Sequence, residues 1–170
     1  ARVKATLNPA GMDIENWPAL GILSDFAEKQ MLVIDAFARM GVETSCTCTP
    51  YLIGNLPAYG DHIAWSESSA VCYANAVLGA RSNREGGPSA LAAALTGRTP
   101  EYGLHLEENR YPGLTVNVTA RLQENTDFGA LGKAIGEKVQ ATKIIPYITG
   151  IDSASLEQLK SFCASLATYG

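Results

Sequence analysis

The chain has 170 residues, is 46% hydrophobic and 18% charged, and carries a net charge of −4. That length supports one domain with a sizeable core, and the balance is that of a folded protein rather than a disordered one. The acidic charge, with no basic run, argues against nucleic acid as a partner, and no stretch reaches the roughly 18 consecutive apolar residues of a membrane span.

The opening Ala1-Arg2-Val3-Lys4 has neither an apolar signal core nor an initiator Met. A processed start or an internal piece of a longer protein is therefore expected. Thr6 to Gly11 reads as a loop, because Asn8 is pushed toward extended backbone by Pro9. Ser24 to Met40 reads as a helix capped by Ser24. Its apolar face would be Phe26, Leu32 or Val33, Phe37 and Met40, with Gly41 as the stop. Val42 to Cys46 is expected as a short strand and Thr49 to Gly60 as a long loop.

Helices are then expected over Ser66 to Leu78 and from Pro88 to Leu95, the latter opening where proline suits a first turn. Thr115 to Leu122 alternates as a half-buried strand does. A helix over Thr126 to Gln140 follows, although Gly129, Gly132 and Gly136 weaken it. Lys143 to Thr149 reads as a buried strand, and Asp152 or Ser153 as the cap of a last helix to Thr168. The order strand, helix, strand, helix predicts an α/β fold, a layered sheet with packed helices. No repeat, low-complexity segment or linker interrupts residues 1–170, so a single α/β domain is expected.

The residues able to do chemistry concentrate between Ser45 and Arg110. The four cysteines, Cys46, Cys48, Cys72 and Cys163, suggest no disulfide framework, which favours a reducing compartment, the cytoplasm. Cys46 and Cys48 fall short of a zinc pattern. They are a plain pair of strand-end thiols, or one of them faces a cleft as a metal or cluster ligand. Strand alternation would place both on one face. Cys72 and Cys163 lie in helical runs and read as inert core residues.

Glu67-Ser68-Ser69 opens a helix, where a carboxylate complements the dipole or serves a cleft as a base. Arg81 to Ser89 combines two arginines, a Gly-Gly pair and a helix start, the parts of an anion site or of a tight turn with solvated charges. His62 and His105 have no partner at a ligand spacing and are expected to make structural hydrogen bonds.

Four segments together carry a resemblance: Cys48-Thr49-Pro50-Tyr51, His62 to Ala70, Ala74 to Arg81, and Asn83 to Ala90. In them the chain resembles aconitase X, a group that includes phosphomevalonate dehydratase and the cis-3-hydroxyproline dehydratases. Cys-Thr-Pro-Tyr and Arg-Glu-Gly-Gly-Pro-Ser are closer to the phosphomevalonate branch. The resemblance implies an aconitase-superfamily-like domain, an internal piece of a large subunit whose intact enzyme is a hydro-lyase. It implies an iron–sulfur cluster with Cys48 as one ligand and the other ligands outside these residues.

By the same resemblance Glu67 and Ser68 would be catalytic, and Asn8, Pro9, Glu67 and Ser68 would contact the substrate. Arg84 is added as an anion contact from the residue reading. The implied substrate is a small anionic 3-hydroxy acid, (R)-5-phosphomevalonate, with cis-3-hydroxy-L-proline as the alternative. The implied partner is a small swivelling subunit or domain carrying a catalytic serine, and the 170 residues alone would be inactive. A reading from another class is a non-catalytic anion-binding or scaffolding domain with free thiols. Asn8, Cys48, Glu67 and Ser68 are expected to line one cavity.

Overall fold

A computed structural model describes residues 1–142 and 144–170. It contains five α-helices and a two-stranded sheet among the described residues: α1 Ser24–Arg39, α2 Ser68–Tyr73, α3 Gly87–Thr96, β1 Leu114–Asn117, α4 Asn125–Val139, β2 Pro146–Thr149 and α5 Leu156–Tyr169. The chain groups into two compact units, residues 1–56 with 86–98, and residues 57–85 with 99–170. No helix among the described residues is long and apolar enough to cross a membrane.

In the first unit α1 starts at Ser24 with Leu23 as its extended flanking residue, and no side chain caps it. Ser24 is thus the first helical residue and not the cap expected of it. Gly41 does end the helix: its φ of 77° places it in the left-handed region, and its N–H reaches the Ala38 carbonyl at 2.9 Å. The buried face differs from the expected one. Ala27 and Ile34, seven residues apart, are buried, while Phe26, Leu32 and Val33 remain exposed. Seven residues is nearly two turns, so these two share a stripe, and Ala27 allows close approach there.

Val42 to Cys46 does not form the expected strand. A single parallel bridge joins Thr6 and Glu43, with Glu43 N–H on the Ala5 carbonyl at 2.9 Å and Leu7 N–H on the Glu43 carbonyl at 2.8 Å. The next bond skips ahead, from Thr47 N–H to the Leu7 carbonyl at 3.1 Å. The residues between bulge outward, and Cys46 sits at φ 47°. The first unit also contains α3 and the 3-10 turn Pro50–Leu52. Pro50 and Tyr51 are buried in that turn.

In the second unit β1 and β2 pair in parallel, Leu114 opposite Pro146 through Asn117 opposite Thr149, with α4 as the crossover. The α/β order read from the sequence is the one observed. The strands are shorter than expected. Tyr147 is exposed, so β2 is only half-buried, and Lys143 of the expected strand lies outside the described residues.

α5 is capped by Ser155, not by Asp152 or Ser153. Ser155 Oγ accepts from Gln158 N–H at 3.2 Å and Gln158 Oε1 accepts from Ser155 N–H at 2.8 Å. This is the reciprocal box that Ser-x-x-Gln encodes. At α4, Asp127 Oδ2 accepts from the N–H groups of Gln123 and Glu124, both at 2.9 Å.

The glycines of α4 have a packing reason. A Cβ on Gly132 would lie 3.0 Å from the backbone nitrogen of Leu166, and one on Gly136 would lie 2.9 Å from the backbone carbon of Tyr169. The helix gives up intrinsic propensity and gains close contact with α5, around buried Phe128, Ile135, Phe162 and Cys163. Gly132→Ala is expected to destabilise the protein by about 1–3 kcal/mol through overpacking. Thermal unfolding reads this directly. A rise in midpoint, as the better helix propensity of Ala alone would give, would contradict it.

Candidate functional site

The proposed site residues fall in both units. Asn8, Pro9 and Cys48 belong to the first, and Glu67, Ser68 and Arg84 to the second. In the first unit the bonds made by Leu7 lay the segment carrying Asn8 and Pro9 against the bulge from Glu43 to Thr47. Pro9 is exposed; the Asn8 Oδ1 atom is buried and has no hydrogen-bond partner.

Just beyond the bulge, Thr47 Oγ1 accepts from Thr49 N–H at 3.1 Å and bonds to Thr49 Oγ1 at 3.2 Å. This hydroxyl-closed turn brackets Cys48, whose side chain is exposed, while Cys46 is half-buried. Because Cys46 is left-handed and lies in no strand, the alternation behind the expectation of a shared face does not apply to these two thiols. No cluster of three or more His, Cys, Asp or Glu side chains able to hold a metal occurs among the described residues. Cys48 presents one exposed thiol, which could serve as a single ligand to a cluster.

In the second unit Glu67 is the N-cap of α2. Its Oε2 accepts from Ala70 N–H and from Ser69 Oγ, each at 2.6 Å. Ser68 is the first residue of the helix. After Tyr73 the helix widens into a π-turn over Ala74–Leu78 and ends at Gly79, φ 69°, against which the Tyr59 ring is packed. The turn leads into a parallel bridge between His62 and Arg81.

The arginines of the expected anion loop hold protein groups. Arg84 donates to the Ala167 carbonyl in the last turn of α5 at 2.9 Å. Arg81 donates to the His105 carbonyl at 3.2 Å and forms an ion pair with Glu107. Asn83 anchors the 102–104 turn through the Tyr102 carbonyl and Leu104 N–H.

Sequence reasoning missed the part played by Asn75 and Arg110. Arg110 donates to Asn75 Oδ1 at 2.8 Å, to the Leu104 carbonyl at 3.1 Å and to the Ala80 carbonyl at 3.2 Å. Asn75 also bonds to the carbonyls of Val71 and Ser82. No local spacing announces such a network, because its bonded partners are up to 35 residues apart.

His62 and His105 bond to each other, Nδ1 to Nδ1 at 3.0 Å, with ring planes 13° apart. Structural hydrogen bonding was expected for both; their partnership was not. They border a cavity of about 270 Å3 with Thr99, Pro100, Glu101 and Leu106. His105 is 4% exposed and its Nε2 has no partner. Burial first, then the neighbouring His62, Arg110 and Arg81, hold its imidazole below the ordinary value, against an opposing pull from Glu85. Cys163 is 1% exposed, as a core thiol should be, but Cys72 is only half-buried. A hydrogen bond between the two thiols lowers the Cys72 thiol and, with burial, pushes Cys163 well up.

Comparison with known proteins bears on the family. The structure superposes on aconitase X of Thermococcus kodakaraensis, in its holo form, with a TM-score of 0.86 at 46% identity, covering 99% of this chain and 41% of that one. The fold is thus one seen in aconitase X. Residues 1–108 match the family described as aconitase X first domain, and 112–170 match aconitase X second domain. The chain belongs to the aconitase X family.

Among its relatives is the phosphomevalonate dehydratase large subunit of Methanothermobacter thermautotrophicus, 52% identical over 99% of this chain and 42% of that protein. The protein of the same name from Methanocaldococcus jannaschii is 51% identical, over 99% and 43%. A cis-3-hydroxy-L-proline dehydratase of Hypocrea jecorina is 37% identical, over 96% and 28%. The chain spans less than half the length of these curated relatives.

The His pair carries a signed prediction. A depressed His105 value means the unfolded chain binds the extra proton more readily than the folded one. Stability is therefore complete above the ordinary histidine value of about 6.5 and is lost as pH falls from there toward the folded value. His105→Gln should flatten the fall in unfolding midpoint between about pH 7 and 5. An unchanged pH slope would show that the pair does not set it.

Proposed function

We propose that the chain forms part of the large subunit of an iron–sulfur hydro-lyase that dehydrates a small anionic 3-hydroxy acid, (R)-5-phosphomevalonate. One observation carries the reading: the turn from Thr47 to Thr49 presents an exposed Cys48, beside a chain segment whose Asn8 amide oxygen is buried without a partner. A thiolate ligand and an unsatisfied substrate contact belong together in such a site. The four relatives between 46% and 52% identity, all named phosphomevalonate dehydratase large subunit, support this substrate over hydroxyproline.

When bound, the cluster supplies a Lewis acid for the departing hydroxyl. Cys48 would hold it, together with cysteines from the remainder of the subunit. Asn8 and Pro9 would contact the substrate, and Glu67 and Ser68 would supply a carboxylate and a hydroxyl. In the structure Glu67 Oε2 is engaged with Ala70 N–H and Ser69. Those two bonds orient the carboxylate at its own helix start, and as a base it would take the proton on its other oxygen, Oε1. Arg84, engaged with Ala167, carries the weakest support as a substrate contact.

A small partner subunit completes the enzyme, as the large-subunit name of the relatives suggests, and four free thiols suit a reducing cytoplasm. Under the competing reading of a non-catalytic binding domain, Cys48 would be dispensable. In the full-length protein with its small partner, Cys48→Ser should abolish the iron chromophore and dehydration. Cys46→Gly should keep both and gain about 1 kcal/mol of stability, because glycine relieves the left-handed strain. Iron retained in Cys48→Ser would sink the assignment.

A further inference from the structure

We propose that Ser45 is a further substrate-contacting residue, its hydroxyl and the Asn8 side-chain carbonyl together binding one alcohol group of the substrate beside Cys48. The inference rests on the reading of Asn8 and Cys48 given above and adds a residue and a chemical specificity to it.

Among the described residues, three buried side-chain polar atoms lack a hydrogen-bond partner: Asn8 Oδ1, Ser45 Oγ and His105 Nε2. Two of the three sit in segments that Leu7 joins, through its N–H to Glu43 and its carbonyl to Thr47. The Thr6–Glu43 bridge brings Asn8 level with the bulge that contains Ser45, and the left-handed Cys46 turns the chain there before the Thr47–Thr49 turn presents Cys48. Leaving a buried polar atom unsatisfied costs about 1–3 kcal/mol. Two such atoms from neighbouring segments, on the approach to a candidate cluster ligand, mark a place shaped for something else to complete.

Their chemistry narrows what completes it. An amide carbonyl only accepts, whereas a serine hydroxyl donates and accepts. An alcohol satisfies both atoms at once, donating to Asn8 Oδ1 and accepting from Ser45 O–H. An ionised carboxylate or phosphate oxygen has no proton for Asn8 Oδ1. These two atoms together therefore suit a hydroxyl better than an ionised oxygen. (R)-5-phosphomevalonate, the substrate proposed above, carries a single alcohol, so the group recognised is the 3-hydroxyl of the acid.

The test uses the full-length protein with its small partner, kept anaerobic. Isothermal titration compares (R)-5-phosphomevalonate with its analogue bearing hydrogen in place of the 3-hydroxyl, and iron content is measured alongside. Ser45→Ala should weaken binding of the hydroxy acid by roughly fivefold to tenfold, the size of one lost hydrogen bond. It should leave the deoxy analogue within twofold and the iron unchanged. Ser45→Thr, which keeps the hydroxyl, should restore the preference for the hydroxy acid and guards against a folding artefact in the Ala variant. Equal effects on both ligands, or no effect, would show that Ser45 meets only a water molecule and would overturn the proposal. Loss of iron in Ser45→Ala would overturn it too, assigning Ser45 to the cluster loop. Failure of the underlying site reading has a different signature, iron retained when Cys48 is replaced.

Discussion

The backbone of Leu7 is the constraint on which the candidate cluster region depends. Its N–H and carbonyl hold the Glu43 carbonyl and the Thr47 N–H, residues four apart, where a regular parallel ladder would use residues two apart. The surplus must leave the ladder, so the chain bulges and Cys46 adopts a conformation that non-glycine residues rarely take. From that distortion follow the buried, unsatisfied Ser45 hydroxyl, the turn closed by Thr47 Oγ1 and the exposed thiol of Cys48. Backbone strain of this kind persists only where surrounding bonds over-determine it. Asn55 Nδ2 on Thr6 Oγ1 and Lys4 Nζ on the Gly54 carbonyl add two such bonds around the same segments.

In the second unit the determining features are the cation network and the small residues of α4. Arg81, Arg84 and Arg110 fasten backbone carbonyls at His105, Ala167, Leu104 and Ala80. Charge-assisted bonds of this type suit a region rich in 3-10 turns, whose carbonyls have no ladder to satisfy them. They also explain why an arginine- and glycine-rich loop, which in sequence has the parts of an anion site, is occupied by protein acceptors. Glu67 shows the same economy: one carboxylate oxygen caps α2 and orients Ser69.

Much of the fold was legible because its signals are local. The βαβα order, the stop at Gly41, the proline-led start of α3 and the helix start at Glu67-Ser68 all came from periodicity, caps and turn residues. What the residues hid is non-local. Leu32 and Val33 look like core positions, but the helix buries a different stripe, through Ala27 and Ile34. Asp152 and Ser153 compete with Ser155 as apparent caps in the sequence, and only Ser155 has Gln158 three residues on to close the box. The His62–His105 contact joins residues 43 apart, and no spacing rule announces it. For the candidate site, Cys48, Asn8, Glu67 and Ser68 were named by resemblance to aconitase X. The bulge that brings Asn8 and Ser45 level depends on a hydrogen-bond register that composition does not encode.

In the proposed function the bulged Asn8–Cys48 region is the cluster-bearing wall of a hydro-lyase. A crystal structure of the iron-loaded full-length protein, with iron located by its anomalous scattering and substrate bound, tests it most directly. Iron is expected within bonding distance of Cys48 Sγ, with a substrate hydroxyl between Asn8 Oδ1 and Ser45 Oγ. Iron held without Cys48, or a substrate bound away from the Asn8 segment, would contradict it.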